Sequence, residues 1–334
     1  MKYKWVAIFS CAGLAALILN SKTALMSARE GIDLCLGAVI PSLLPFFFLS
    51  TMLTACLKGL RAPMLRPVGR LFGIPKGCEP ILLIGLCGGY PVGAQCIGQA
   101  YRDGTLKKED ARHMLAFCNN CGPAFIFGII GQQFPFWWAA WLLWLIHVLS
   151  ALLVAIILPY QARKGAYTAG CSINLTDALH RSIRVMAHVC GWIIIFRVLS
   201  GFLQHWFGFM LSNDAYVILA GILELTNGCV SLHMISDIGI RFLVSSILIA
   251  LGGLCVTMQT HSVLPDALKK NMYLSGKLMQ TIFSATLALM VAKFIIKSPI
   301  DPLYLCIAAA LNLFSITIFR KMQKTSSNLT TVAV

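Results

Sequence analysis

Gly85-Leu-Cys-Gly-Gly-Tyr-Pro-Val-Gly93 interrupts the apolar segment formed by residues 80–98. Glycine and proline break helices and let the backbone turn. The two loops that flank this segment are strongly basic. Their basic residues are Lys58, Arg61, Arg66, Arg70 and Lys76 before it, and Arg102, Lys107, Lys108 and Arg112 after it. Because cytoplasmic loops collect Lys and Arg, both loops should lie inside. Segment 80–98 is therefore predicted to be a re-entrant hairpin that enters and leaves a membrane by one face.

The composition indicates a membrane protein. Of the 334 residues, 58% are apolar and 12% are charged, and the mean hydropathy is +0.80. Soluble globular domains carry about 25% charged residues, so a water-exposed surface of this size cannot be built from this sequence. The length allows about eight to ten spanning or half-spanning segments of roughly 20 residues each. We therefore expect an all-α polytopic protein of the cell membrane.

The distribution of charge predicts the topology. The net charge of +15 comes from 27 Lys and Arg against 12 Asp and Glu. These basic residues form short clusters between apolar runs rather than a patch interleaved with aromatic residues, so nucleic-acid binding is not expected. A later basic cluster, Lys269, Lys270 and Lys277, is also predicted to be a cytoplasmic loop. With hairpins at 80–98 and 215–236, most basic residues and both chain termini lie on the cytoplasmic side.

This topology divides the chain into two similar halves inserted in opposite directions. The predicted parts are an N-terminal transmembrane helix (1–30), a first inverted repeat (31–160) with hairpin 80–98 and broken helix 113–133, a basic cytoplasmic linker (161–184), a second repeat (185–298) with hairpin 215–236 and broken helix 241–263, and a C-terminal helix and tail (299–334). The residues expected to break helices are Gly88, Gly89, Pro91, Gly93, Gly122, Pro123, Gly228, Gly252 and Gly253. Inverted repeats with paired interrupted helices are typical of secondary transporters, which bind solutes where the breaks meet.

Five sequence stretches carry a family resemblance. They are Gly88-Gly-Tyr-Pro-Val-Gly-Ala94, Asp103-Gly-Thr-Leu106, Phe117-Cys-Asn-Asn-Cys-Gly-Pro123, Leu223-Glu-Leu-Thr-Asn-Gly228 and Gly252-Gly-Leu254. Over about residues 30–300 the chain resembles the sporulation integral membrane protein YlbJ family, which carries the nucleoside-recognition or Gate domain. The resemblance implies a polytopic membrane protein of spore-forming Firmicutes. It also implies a relation to spore maturation proteins and, distantly, to concentrative nucleoside transporters.

Glu224 is the most informative acidic residue. It is predicted to lie deep in the second hairpin and is followed by Thr226 and Asn227. A carboxylate in hydrocarbon costs a few kcal/mol or more, so it should face a cavity or a partner. As a functional group it would bind a cation, a proton or the solute. The structural alternative is an ion pair with Arg197, the lone charge within segment 185–207.

The first half offers amide side chains beside its own break. Asn119 and Asn120 precede Gly122-Pro123, and with Tyr90 and Gln95 they could line the same cavity as Glu224. Amides suit a neutral polar solute or Na⁺. They could equally cap broken helix ends, which need hydrogen-bonding partners.

Other reactive residue types give weaker signals. Cys118-Asn-Asn-Cys121 has no second cysteine pair at metal spacing, so no metal site is predicted. His147 and His188 lie in predicted spans and His233 lies near the second hairpin, where a proton relay and simple structural hydrogen bonding both remain open.

These observations predict a secondary transporter or permease for a small polar solute, with Na⁺ or H⁺ as candidate coupling ions and no cofactor. The alternative is a non-transporting membrane component of a sporulation assembly. No G-x-S-x-G or H-E-x-x-H pattern occurs, so an enzyme is not expected. The expected partners are the lipid bilayer and the unknown solute, and a homo-oligomer is compatible with the sequence.

Overall fold

The computed structural model describes residues 2–56, 63–158, 160, 174–269 and 272–331. Within these ranges every regular element is helical. Five helical segments are long and apolar enough to cross a membrane: Ser21–Thr54, Trp138–Ile157, Leu175–Met210, Ile238–Val263 and Asp266–Phe294. The fold is thus that of an all-helical, polytopic membrane protein.

The α-helices are numbered in chain order. They are α1 Lys2–Leu19, α2 Ser21–Leu34, α3 Ile40–Cys56, α4 Arg66–Leu71, α5 Glu79–Cys87, α6 Val92–Arg102, α7 Lys108–Met114, α8 Pro123–Phe125, α9 Trp138–Ile157, α10 Leu175–Phe207, α11 Asn213–Leu223, α12 Leu225–Val230, α13 Ile238–Leu251, α14 Gly253–Val263, α15 Asp266–Lys269, α16 Tyr273–Phe294 and α17 Pro302–Thr331. A π-helical turn, Cys35–Val39, joins α2 to α3.

Several connections gather at one end of the molecule, which we call the basic end. The ring of His113 lies 3.1 Å from the carbonyl oxygen of Phe72 and stacks on Tyr160 at 4.5 Å between centroids. Arg102, at the end of α6, donates to the carbonyl of Val263, 3.3 Å away. The loops before α5, after α6, after α9 and after α14 therefore share this end, which also carries the exposed residues Lys76 and Lys107.

Other connections form the opposite end. Arg241 donates to the carbonyl of Gln133 at 2.8 Å, and Ser298 donates to Asp237 at 2.7 Å. Helix α9 joins the two ends with 20 residues, about 30 Å at 1.5 Å per residue. That length matches the hydrocarbon thickness of a bilayer.

The chain reverses direction within both segments predicted to be hairpins. Helix α5 starts at the basic end, the backbone turns between Cys87 and Val92, and α6 returns to the basic end. In the second segment Glu224 separates α11 from α12, and Gly228 packs against Gly221. This reversal opens toward the opposite end. Helix α12 has six residues and is followed by a 3₁₀ turn, Ser231–Met234, so its second arm is shorter than predicted.

Both predicted broken helices are interrupted, and each interruption packs on a hairpin. A Cβ atom built on Gly122 would lie 2.9 Å from the backbone nitrogen of Gly89. Gly253 has φ +78°, a conformation that favours glycine, and its built Cβ would lie 2.8 Å from the carbonyl oxygen of Gly221. The two breaks thus contact the tips of the hairpins of their own halves.

Some boundaries differ from the sequence prediction. The N-terminal helix predicted for residues 1–30 is divided at Asn20 into α1 and α2, and α2 continues through the π-helical turn into α3. The C-terminal helix reaches Thr331. In the predicted linker 161–184, residues 161–173 lie outside the described residues, and α10 already begins at Leu175. Lys58, Arg61, Arg163, Lys164 and Lys270 also lie outside the described residues.

The same order of elements occurs in both halves: a long helix, a reversal, a broken helix and a second long helix. The division into two inverted repeats stays a prediction, as does the insertion of the halves in opposite directions.

Candidate functional site

Lys277 lies in α16 and is completely buried, so its assignment to a cytoplasmic loop was wrong. Its Nζ donates hydrogen bonds to Tyr90 Oη at 3.0 Å, to Asn120 Oδ1 at 3.1 Å and to Gln280 Oε1 at 2.6 Å. We call Lys277, Tyr90, Asn120, Gln280 and His147 the lysine cluster. It joins the first hairpin, the first helix break, α9 and α16.

The lysine cluster contains no acidic residue. The three acceptors of Lys277 are neutral oxygens, and no carboxylate of a described residue lies within salt-bridge distance of its Nζ. A charged side chain buried at membrane depth costs several kcal/mol, and such residues are usually paired or functional. The cluster therefore surrounds the Lys277 amine with neutral oxygens, and no carboxylate of a described residue pairs with it.

Gln280 and His147 complete the cluster. Gln280 Nε2 donates to Asn120 Oδ1 and to the carbonyl of His147, both at 3.1 Å. His147 Nε2 accepts a hydrogen bond from the backbone N–H of Cys121 at 3.0 Å. The unprotonated nitrogen of His147 thus caps the backbone at the break before Gly122, so the structural interpretation of His147 fits its contacts.

Tyr90 connects the two halves of the chain. Its hydroxyl donates to the carbonyl oxygen of Ile249 at 3.0 Å. Ile249 lies in the last turn of α13, just before the break at Gly252, where helix carbonyls lose their partners. The turn of the first hairpin therefore satisfies the backbone of the second broken helix, near the middle of segment Ile238–Val263.

Asn119 extends the polar contacts from the lysine cluster toward α14. Its Nδ2 donates to Thr260 Oγ1 at 3.0 Å, and its Oδ1 accepts from the backbone N–H of Ala94 at 3.3 Å. Asn120 Nδ2 also donates to the carbonyl of Phe117 at 2.6 Å. Both asparagines thus satisfy backbone groups, as the capping interpretation required, and Asn120 at the same time contacts the buried ammonium.

Gln95 faces a different neighbour. Its Nε2 donates to Thr51 Oγ1 of α3 at 2.9 Å. Its Oε1 is buried and has no hydrogen-bond partner among the described residues. Gln95 is therefore not brought together with Tyr90 and Asn120, although it lies on the same hairpin.

Glu224 is buried and caps its own helix. Its two carboxylate oxygens accept from the backbone N–H groups of Thr226 at 2.9 Å and Asn227 at 2.8 Å. A negative group at a helix N-terminus is stabilised by the unpaired N–H groups and by the helix dipole. Glu224, Thr226 and Asn227 thus form one capping unit at the tip of the second hairpin.

Arg197 does not form its predicted ion pair with Glu224. Its Nη2 lies 2.8 Å from Oε2 of Glu30 on α2, and its Nη1 donates to Asn227 Oδ1. The predicted ion pair of Glu224 is absent because α2 supplies a closer carboxylate, that of Glu30. Arg197 reaches the second hairpin through Asn227.

The chain is similar to the sporulation integral membrane protein YlbJ of Bacillus subtilis (strain 168). The two sequences are 24% identical over an alignment 342 positions long, and this alignment covers 86% of this chain and 82% of that protein. No protein-family profile matches the chain, and no solved structure matches it. The comparison supports a distant family relationship that extends over most of both chains.

The other histidines and the cysteines singled out from the sequence do not belong to the lysine cluster. His188 is exposed, and His233 contacts the carbonyl of Val230 at 2.9 Å. Cys118 and Cys121 are buried free thiols. Within the described part of the chain, no group of three His, Cys, Asp or Glu residues is arranged to hold a metal ion.

Sequence reasoning missed Lys277, Gln280 and Thr260. Lys277 and Gln280 are three residues apart, a spacing that places them on one face of a helix. That spacing was available in the sequence. It was overlooked because Lys277 was grouped with Lys269 and Lys270 as a cytoplasmic loop.

Proposed function

We propose that this chain is a sporulation-associated, multipass protein of the cell membrane that binds a small polar solute at the lysine cluster and carries it across the bilayer. Its two halves would be inverted repeats with re-entrant hairpins, as in secondary transporters. The sporulation association is taken from the distant similarity to YlbJ. The proposal assigns no catalytic step to the chain.

The buried amine of Lys277, which pairs with no carboxylate among the described residues, carries this proposal. If Lys277 served only to hold helices together, a neutral side chain or an ion pair would do so at lower cost. A lysine surrounded by neutral oxygens can instead donate hydrogen bonds to a solute, whose atoms would then take the place of some of these oxygens. Because no carboxylate of the described residues lies beside it, a solute with a negative group would supply the counter-charge of a protonated Lys277. We therefore expect an anionic solute to be favoured over a neutral one.

The position of the cluster suits alternating access. Tyr90 belongs to a hairpin that opens at the basic end, and its partner Ile249 borders a break on which the other hairpin packs. A relative movement of the two hairpins would change the contacts of Tyr90 and with them the environment of Lys277. Coupling to Na⁺ or H⁺ is part of the proposal, and irregular backbone beside the breaks offers carbonyl oxygens for a cation.

Uptake into proteoliposomes tests the proposal. The panel would contain monocarboxylates, dicarboxylates and phosphate esters, each beside a neutral amide or nucleoside counterpart. We expect uptake of an anionic member, reduced more than tenfold in Lys277→Met. The matched control is Lys269→Met, which removes an exposed lysine at the basic end. Equal uptake by wild type and Lys277→Met would contradict the proposed site.

The sporulation association needs a separate experiment. Heat-resistant spores would be counted in Bacillus subtilis that lacks YlbJ and carries this chain, its Lys277→Met variant or YlbJ itself. We expect this chain to raise the spore count toward that given by YlbJ, and Lys277→Met to fail at equal abundance in the membrane. A chain that inserts normally but leaves the count at the level of the deletion strain would contradict this part.

One observation favours a non-transporting assembly component instead. The lysine cluster is filled by side chains of the protein itself, since Lys277, Gln280 and Asn120 bond to one another. A scaffold would keep this packing permanently. In that case Lys277→Met would lower the abundance of the protein, and the remaining folded protein would retain full function in the spore assay.

A further inference from the structure

A second polar site lies away from the lysine cluster, between α2, α10 and α11. A cavity of about 260 Å³ is lined there by Thr23, Ser27, Glu30, Arg197, Ser200 and Tyr216, among others. This volume approaches the lower limit of small-molecule pockets, about 300 Å³. The residues from α2 and α10 recur at helical spacing, so each helix presents a polar stripe to the other.

A buried hydroxyl at this cavity lacks a partner. Ser200 is 3% exposed, and its Oγ makes no hydrogen bond to any described residue. An unsatisfied buried polar group costs about 1–3 kcal/mol. The hydroxyl oxygen is enclosed in the wall of the cavity, so Ser200 would bond to an occupant only by rotating its side chain toward it.

The charges at the cavity define what the occupant should carry. Arg197 and Glu30 have side chains 33% and 52% exposed and pair with each other at 2.8 Å. A simple anion would be attracted by the guanidinium of Arg197 but repelled by the carboxylate of Glu30. A simple cation would be attracted by Glu30 but repelled by Arg197. A group with one negative and one ammonium end would replace a single ion pair by two.

The position of the cavity admits such a group from water or from the lipid headgroup layer. Arg197 lies ten residues before the end of α10 at Phe207, about 15 Å along the helix at 1.5 Å per residue. Trp206, near that end, donates to Asn20 just before α2 at 3.4 Å, and Met26 at the cavity is 55% exposed. The cavity thus runs from the end of α10 toward the middle of the bundle, beside apolar surface suited to acyl chains.

We propose that the cavity between α2, α10 and α11 binds a zwitterionic group, with its anionic end on Arg197 and its ammonium end on Glu30. This site is independent of the proposed transport site. Two sources supply this chemistry: the headgroup of phosphatidylethanolamine, and small soluble zwitterions such as O-phosphoethanolamine or an amino acid.

Binding to purified protein tests the proposal with these probes. Native mass spectrometry would compare retention of phosphatidylethanolamine with that of phosphatidylglycerol, and thermal shift would compare O-phosphoethanolamine and L-serine with acetate and ethylammonium. We expect one zwitterionic probe to bind at least tenfold more tightly than its singly charged counterparts. Preferential lipid retention would identify the headgroup source, and a shift with the soluble probes would identify the free solute.

Arg197→Gln and Glu30→Gln should each weaken that binding at least tenfold. Glu30 is half exposed, so its variant is expected to fold even if loss of Arg197 disturbs packing. Lys269→Gln, which breaks an ion pair at the basic end, should bind like wild type. The proposal is overturned if no zwitterionic probe exceeds its singly charged counterparts, or if Glu30→Gln binds as tightly as wild type.

Discussion

Lys277 Nζ lies 3.0 Å from Tyr90 Oη, although 187 residues separate them along the chain. The same hydroxyl donates to the carbonyl of Ile249. One phenol group therefore links α16, the turn of the first hairpin and the break of the second broken helix. Through this hydroxyl, the turn of the first hairpin and the break of the second broken helix contact each other beside Lys277.

Tyr90→Phe removes this hydroxyl, so Lys277 loses one of its three acceptors and the carbonyl of Ile249 loses its donor. An unsatisfied buried group costs about 1–3 kcal/mol, so we expect a lower melting temperature in detergent. Tyr304→Phe is the control, because Tyr304 is 57% exposed. If the two variants melted at the same temperature, the link through Tyr90 would not stabilise the fold.

Gly253→Ala tests the packing of the second break on its hairpin. The residue has φ +78°, and an added Cβ would meet the carbonyl of Gly221. A left-handed conformation costs a residue with a Cβ about 1–2 kcal/mol. The steric contact between the added Cβ and the carbonyl of Gly221 would destabilise the fold further. We expect reduced stability and a smaller yield of monodisperse protein.

Gly191→Ala is the matched control for that substitution. Gly191 lies within α10, and nothing would lie within 4 Å of its added Cβ. Alanine in a helix is more stable than glycine by about 0.5–1 kcal/mol, so Gly191→Ala should be neutral or stabilising. Equal losses in Gly191→Ala and Gly253→Ala would contradict the close approach at the break.

His113 predicts a pH dependence of stability. This residue lies outside the five long apolar segments. Its ring is buried, and burial lowers the pKa of His113 from 6.5 to about 4. Below pH 6.5 the unfolded chain takes up a proton that the folded protein does not bind. The stability contribution of neutral His113 is thus complete above pH 6.5 and is lost as the pH falls toward 4, up to about 3 kcal/mol.

Melting temperatures measured between pH 7.5 and pH 4.5 check this dependence. His113→Phe should flatten the acid branch, because the ring stack on Tyr160 is kept but the titrating group is gone. His180→Phe, at an exposed position of α10, should follow the wild-type curve. Parallel curves for His113→Phe and wild type would show that another group is responsible.

The two hairpins predict which loops share a side of the membrane. Lys76→Cys and Lys107→Cys flank the first hairpin at the basic end, and Asp214→Cys lies at the start of α11; all three positions are exposed. An impermeant maleimide applied to intact cells should label Asp214→Cys and should label the other two only after permeabilisation. The parent protein, with its native cysteines, gives the background. Labelling of Lys76→Cys and Lys107→Cys from different sides would contradict a first hairpin that opens to one face.

The first chain reversal was predictable because glycines and a proline mark its turn and basic loops flank it. The second was predicted from the distribution of basic loops rather than from a local signal in residues 215–236. The breaks at Gly122 and Gly252 carry local signals similar to those of the first turn. Composition was likewise sufficient for the helical membrane class, since 58% apolar residues leave no soluble alternative of this size.

The site was only partly predictable because its contacts are long-range. Tyr90, Asn119 and Asn120 were recognised as polar residues beside breaks, but nothing local shows that Lys277 reaches them. Charge patterning misassigned Lys277, because a rule that counts basic residues in loops treats every lysine at the edge of an apolar run as exposed. In the same way, Arg197 pairs with Glu30, which is 167 residues away along the chain.

The most direct test of the account is solute binding to Lys277→Met. Purified wild type, Lys277→Met and Lys269→Met would be screened by thermal shift against the anionic and neutral solutes of the uptake panel, since a ligand that binds the folded state raises its melting temperature. The account predicts an anionic solute that stabilises wild type and Lys269→Met but not Lys277→Met. If that solute stabilises Lys277→Met as strongly as wild type, the lysine cluster is not the binding site.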